Sequence, residues 1–208
     1  MKTLLGERLR LDWKIVSITI VSTLAIIVDH YHTLLGWYPL DGLILYLLIP
    51  LIVIVFIFRE SPAEFGFRLG DWKAGLAITA IAVALIAPVL WFVNRSDGSM
   101  QAYYASILGD RVPFPLRTFV DLIGWEFLFR GWIVFGYGRK FGPEAIWLQA
   151  VPFAIAHIGK PEIETISTIF GGFVFGWVAW RTKSFLYPFL IHWFVLTFTV
   201  MVTGGFFG

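Results

Sequence analysis

The octapeptide "GWEFLFRG", residues 124–131, sets a carboxylate and a guanidinium into a run of Trp, Phe and Leu. Glu126 and Arg130 are four residues apart, so on a helix they share a face, with the acid N-terminal to the base. Burying such a pair costs several kcal/mol per ion unless other polar groups meet it. Two histidines in separate apolar stretches are candidates: His157, which closes "FAIAH" one turn beyond Phe153, and His192, midway through "FLIHWFVL". One carboxylate and two imidazoles can take, hold and return a proton and steady a developing oxyanion, the parts of general acid–base chemistry. The purely structural alternative is an ion pair with two hydrogen-bonded core histidines. Glu126, His157 and His192 also compose a zinc set by ligand type. No His-Glu-x-x-His spacing supports it, and the reading without a cofactor is preferred.

A second polar group follows in "HIGKPEIE", where Lys160, Glu162 and Glu164 come close after His157. Glu164 has a simple explanation as an acid in the first turn of a helix, where the dipole favours it. Trp125 adjoins Glu126 and is expected to wall the pocket.

These groups lie in a chain of 208 residues that is 58% hydrophobic, 18% aromatic and only 14% charged. A soluble domain carries nearer a quarter of charged residues, so the excess apolar content reads as an integral membrane protein. Basic residues are scattered and the net charge is +2, which excludes nucleic acid as a partner. With no cysteine, thiol nucleophiles and disulfides are excluded. The N-terminal stretch resembles a signal peptide but has no small-residue cleavage site, so it reads as a retained first span.

Seven segments are apolar enough to span or enter a bilayer, at 13–29, 41–58, 73–93, 115–136, 143–157, 162–180 and 184–203. The expected fold is therefore an all-α, polytopic bundle of about seven transmembrane helices around a polar intramembrane cavity, as a single domain over 1–208. The fifth segment is short and joins the sixth through "IGKPE", so the two can form a hairpin that does not fully cross. The stretch "RESPAEFGFRLGDWK" reads as an interfacial loop or short amphipathic helix. Lys and Arg divide 11 to 4 between alternate loops, counting Lys2, Arg8 and Arg111, which predicts a cytoplasmic N-terminus. Gly172 and Gly176 have the spacing of close helix packing.

Taken in order, the motifs resemble those of the CAAX-protease and bacteriocin-processing family of intramembrane endopeptidases. Its Glu-Glu-x-x-x-Arg motif is matched from Glu126 to Arg130, its Phe-x-x-x-His motif by Phe153 and His157, and its last His by His192. The resemblance covers residues 59–200. It implies hydrolysis of a membrane-associated peptide or protein by glutamate-activated water, with Glu126, His157 and His192 catalytic and Arg130 supporting. Two positions depart from the family pattern: Trp125 replaces the first Glu, the usual base, and Leu196 replaces an Asn or Asp. Three readings follow. Glu126 is itself the base, which we prefer; Glu164 supplies the lost carboxylate, with Lys160 beside it; or the chain has kept the fold without hydrolysis. In the last case it would be a binding or immunity-type membrane partner, or a transporter subunit.

Overall fold

The computed structural model describes residues 10–108 and 112–207, so that Lys2, Arg8 and Arg111 of the charge count lie outside the described residues. All seven apolar segments are helical, and no β-strand occurs among the described residues. Helix α1 is Trp13–Tyr31. Asp12 caps it by accepting from the Lys14 and Ile15 backbone N–H groups at 3.0 and 3.3 Å. Helix α2 is Tyr38–Phe58, with wide π-type turns at Leu43–Leu48 and Val53–Phe58 on either side of Pro50. Proline has no N–H to give and its ring displaces the preceding carbonyl, which is where such turns are expected. The buried Asp41 accepts from the Leu34 and Leu35 N–H groups, both at 2.9 Å, and closes the α1–α2 loop.

After α2 the chain makes one 3₁₀ turn, Pro62–Phe65. Within the stretch expected to be interfacial, Phe65 is fully buried and stacks on Trp132 at 5.6 Å, so its side chain is pinned into the core. Helix α3 is Trp72–Ser96 and α4 is Gly98–Leu108. Sequence patterning reads as loop where α4 stands. Helix α5 runs as α-helix over Phe114–Glu126, as π turns over Phe127–Ile133 and again as α-helix over Val134–Phe141. Helix α6 is Ala145–Ile155, α7 is Glu162–Thr182 and α8 is Leu186–Thr203.

Among the described residues five helices are long and apolar enough to cross a membrane: α1, α2, α3, α7 and α8. Helix α6 has 11 residues. At a rise of about 1.5 Å each it reaches roughly 16 Å, about half of a hydrocarbon core. It returns through a tight turn to α7 as a hairpin. Gly172 of α7 lies so close to α6 that an added Cβ would meet the Ala150 Cβ at 3.0 Å and Phe153 at 3.1 Å. Gln149 fastens the hairpin by donating to the Gly172 carbonyl at 2.6 Å. On the other side of α5, a Cβ on Gly124 would meet the Gly42 carbonyl oxygen at 2.6 Å, so only glycine lets α2 approach there. Helix α3 packs chiefly on α8, joined by a 3.1 Å hydrogen bond from Asn94 to Thr199.

Candidate active site

The π turns of α5 are deeply buried: every residue from Phe127 to Ile133 is buried, and so are Trp125 and Glu126. Such turns are rare and recur at functional sites, because they re-aim side chains within a continuous helix. Here they carry Arg130 beneath Glu126. The Arg130 Nη1 donates to Glu126 Oε1 at 3.0 Å, and both side chains are wholly enclosed.

His192 comes to the same oxygen from α8. Its Nδ1 lies 2.7 Å from Glu126 Oε1. A carboxylate accepts, so Nδ1–H is the donor and Nε2 is left as the free ring nitrogen. His157 is held in the same tautomer by different means: its Nδ1 donates to the Phe153 carbonyl, 2.7 Å away and one turn earlier in α6. Both imidazoles therefore present Nε2. Their rings meet through aromatic neighbours. The Phe153 ring lies 4.4 Å from that of His157 and 6.0 Å from that of His192, between centroids. Trp125 closes the other side, edge-on to His157 at 5.5 Å and to Tyr46 at 5.4 Å.

Arg130 is sandwiched. Its guanidinium carbon sits 3.8 Å from the Phe153 ring centre and 5.1 Å from that of Phe175. A desolvated cation over an aromatic face gains about 2 kcal/mol or more, which offsets part of its burial. Three buried polar atoms of the pair have no protein partner: Glu126 Oε2, Arg130 Nε and Arg130 Nη2. One acceptor and two donors are thus held at a fixed place with nothing from the protein to satisfy them, and such atoms call for an explanation beyond packing.

The structure brings Glu126, Arg130 and His192 into direct contact and sets His157 beside them across Phe153. Glu164 stands apart from Glu126. Its Oε1 accepts from Lys160 Nζ at 3.0 Å and its Oε2 from the Tyr104 hydroxyl at 2.6 Å. The Arg130 guanidinium beside Glu126 opposes a dication at this carboxylate. No group of three or more acidic, His or Cys side chains among the described residues could hold one. Sequence reasoning did not find Phe175 or Tyr104. Phe175 lies three residues past Gly172 in an ordinary apolar run, and Tyr104 lies in a stretch without helical patterning. Neither carried a signal.

Residues 110–198 match the family model of the type II CAAX prenyl endopeptidases, Rce1-like. That stretch contains Glu126, Arg130, His157, Lys160, Glu164 and His192. No curated protein and no solved structure matches the chain. The matched stretch, 89 of the 208 residues, is similar to the Rce1-like type II CAAX prenyl endopeptidases and spans the buried Glu126, Arg130 and His192 constellation.

Proposed function

We propose that the protein is an intramembrane endopeptidase that cleaves a membrane-associated peptide or protein, with Glu126 as the base that activates water and no metal taking part. The observation that carries this reading is the division of labour within one carboxylate. Oε1 is held by Arg130 and His192, which fixes its geometry, while Oε2 has no protein partner and stays available. A water hydrogen-bonded to Oε2 and to the Nε2 of a neighbouring imidazole is oriented by both. Its oxygen attacks the scissile carbonyl carbon as its proton passes to Oε2. The carbonyl oxygen gathers the negative charge, and the spare Arg130 N–H groups are the donors suited to it. Collapse breaks the C–N bond and the proton moves to the leaving amine.

Glu164 is a poor candidate for this work because both of its oxygens are engaged. Trp125, where the family carries its first Glu, contributes a wall instead of a carboxylate. Substrate entry requires Phe153 and Phe175 to move off Arg130. The test compares membrane fractions from cells holding the wild type and Glu126→Gln, reading new protein termini by mass spectrometry. A set of termini present only with the wild type is the expected result. Identical termini from both proteins would favour the non-catalytic reading, in which the chain is a membrane binding partner.

A further inference from the structure

The α6–α7 turn carries polar contacts that the proposed chemistry does not use, and they lead to His157. Glu164, in the first turn of α7, is held on both oxygens: by Lys160 Nζ at 3.0 Å and by the Tyr104 hydroxyl of α4 at 2.6 Å. Its neighbour Thr165 donates through Oγ1 to the His157 backbone carbonyl at 2.8 Å. The Lys160 N–H donates to the same carbonyl at 3.1 Å. His157 is thus tied at its backbone by Lys160, a member of the Glu164 clamp, and by Thr165, which follows Glu164 in the chain. Its ring is tied separately, to the Phe153 carbonyl. Tyr104 is 3% exposed and comes from a helix outside the apolar framework.

We infer that Tyr104, Glu164 and Lys160 form a clamp that positions His157, so that α4 sets the ring of a residue at the end of a different helix. The inference rests on the peptidase reading for its functional meaning, but the linkage itself is a property of the ground state. Glu164 is then a positioning residue, and its carboxylate works by holding the turn at fixed height. A hydroxyl bonded to a carboxylate in a low-dielectric setting is among the stronger neutral-to-ion contacts. The clamp reaches His157 through two hydrogen bonds and a few residues of chain.

The experiment uses the full chain in detergent micelles, with ¹⁵N-labelled histidine and His157→Gln as the assignment blank. The ring ¹⁵N shifts report which nitrogen of His157 carries the proton and how firmly the Nδ1–H bond to Phe153 is kept. Tyr104→Phe removes one oxygen and leaves the ring, so the fold is retained. The expected result is a changed or broadened His157 signal in Tyr104→Phe and in Lys160→Met, partly restored in Lys160→Arg, with the His192 signal unmoved. An unchanged His157 signal in Tyr104→Phe would overturn the inference whether or not the protein cleaves anything. Where termini dependent on Glu126 have been found, Tyr104→Phe should also lower kcat by about 10- to 100-fold with little change in KM. A rise in KM alone would overturn the positioning role. Absence of any Glu126-dependent cleavage would count against the peptidase reading, while a shifted His157 signal would still support the linkage.

Discussion

His192 Nδ1 and Arg130 Nη1 converge on one oxygen of Glu126, at 2.7 and 3.0 Å, from two different helices. The pair of donors fixes the carboxylate in rotation and in position, and it leaves the second oxygen without a protein partner.

Replacing Glu126 by Gln keeps the shape and removes the carboxylate proposed as the base. Loss of general-base catalysis costs about 10² to 10⁴ in rate, so cleavage by Glu126→Gln should fall to that extent or below detection. The same variant should remain folded, as judged by its elution as a monodisperse species in mild detergent. A cleavage rate within about threefold of the wild type, far short of that loss, would remove Glu126 from the chemistry.

Arg130→Ala leaves a carboxylate buried without its cation, and the expected loss of stability is about 3–5 kcal/mol. Replacing both partners with apolar side chains, as Glu126→Leu with Arg130→Met, should restore most of that stability while abolishing activity. Thermal melting of the wild type and both variants in one detergent checks these statements. Equal destabilisation of the single and double variants would mean that the unpaired charge is not the source of the loss.

Gly172→Val tests the α6–α7 contact. The added side chain meets Ala150 and Phe153 directly, and overpacking of this kind costs about 1–3 kcal/mol. Because Phe153 also covers Arg130 and carries the carbonyl that holds His157, cleavage should fall by more than the loss of folded protein explains. Quantifying folded protein and cleavage on the same sample separates the two effects.

At the end of the bundle formed by the 59–71 segment, Glu60 accepts from both Lys14 and Arg139. Partial burial pushes the Glu60 carboxyl upward, but these two cationic donors outweigh it and hold the group below its ordinary value. A depressed folded-state value stabilises the fold above the unfolded-state value, near pH ~4.3, and the benefit is lost as pH falls through the folded-state value. Solvent screening keeps it under about 1 kcal/mol. Glu60→Gln should therefore melt slightly below the wild type at neutral pH, with the two curves converging as the pH is lowered beyond the carboxylate range. A gap that widens on acidification would contradict the assignment.

Much of this architecture could be read from the chain alone. Apolar runs marked all seven framework helices because lipid requires nearly continuous hydrophobicity, and charges inside those runs stood out as exceptions. Glu126, Arg130, His157 and His192 were therefore visible before their geometry was. What stayed hidden depends on contacts between distant positions. Tyr104 carries no mark of its partnership with Glu164, which lies 60 residues away. The burial of Phe65 was masked by a polar, proline-containing surrounding that resembles a surface loop. The π turns of α5 follow from how Glu126 to Ile133 pack, and no residue in that stretch announces them. The site's connection to α4 was invisible for the same reason: α4 has too little apolar periodicity to be told from a loop.

The shortness of α6 has a consequence for the surrounding lipid. A helix that reaches about 16 Å beside partners that reach about 30 Å creates a hydrophobic mismatch on one flank of the protein. Acyl chains beside a helix that ends short are expected to shorten or tilt to meet its polar end, at a cost of fractions of a kcal/mol per ångström. Vesicles made from lipids with shorter acyl chains should relieve the mismatch, so the protein is expected to prefer thin membranes in its stability and in its rate.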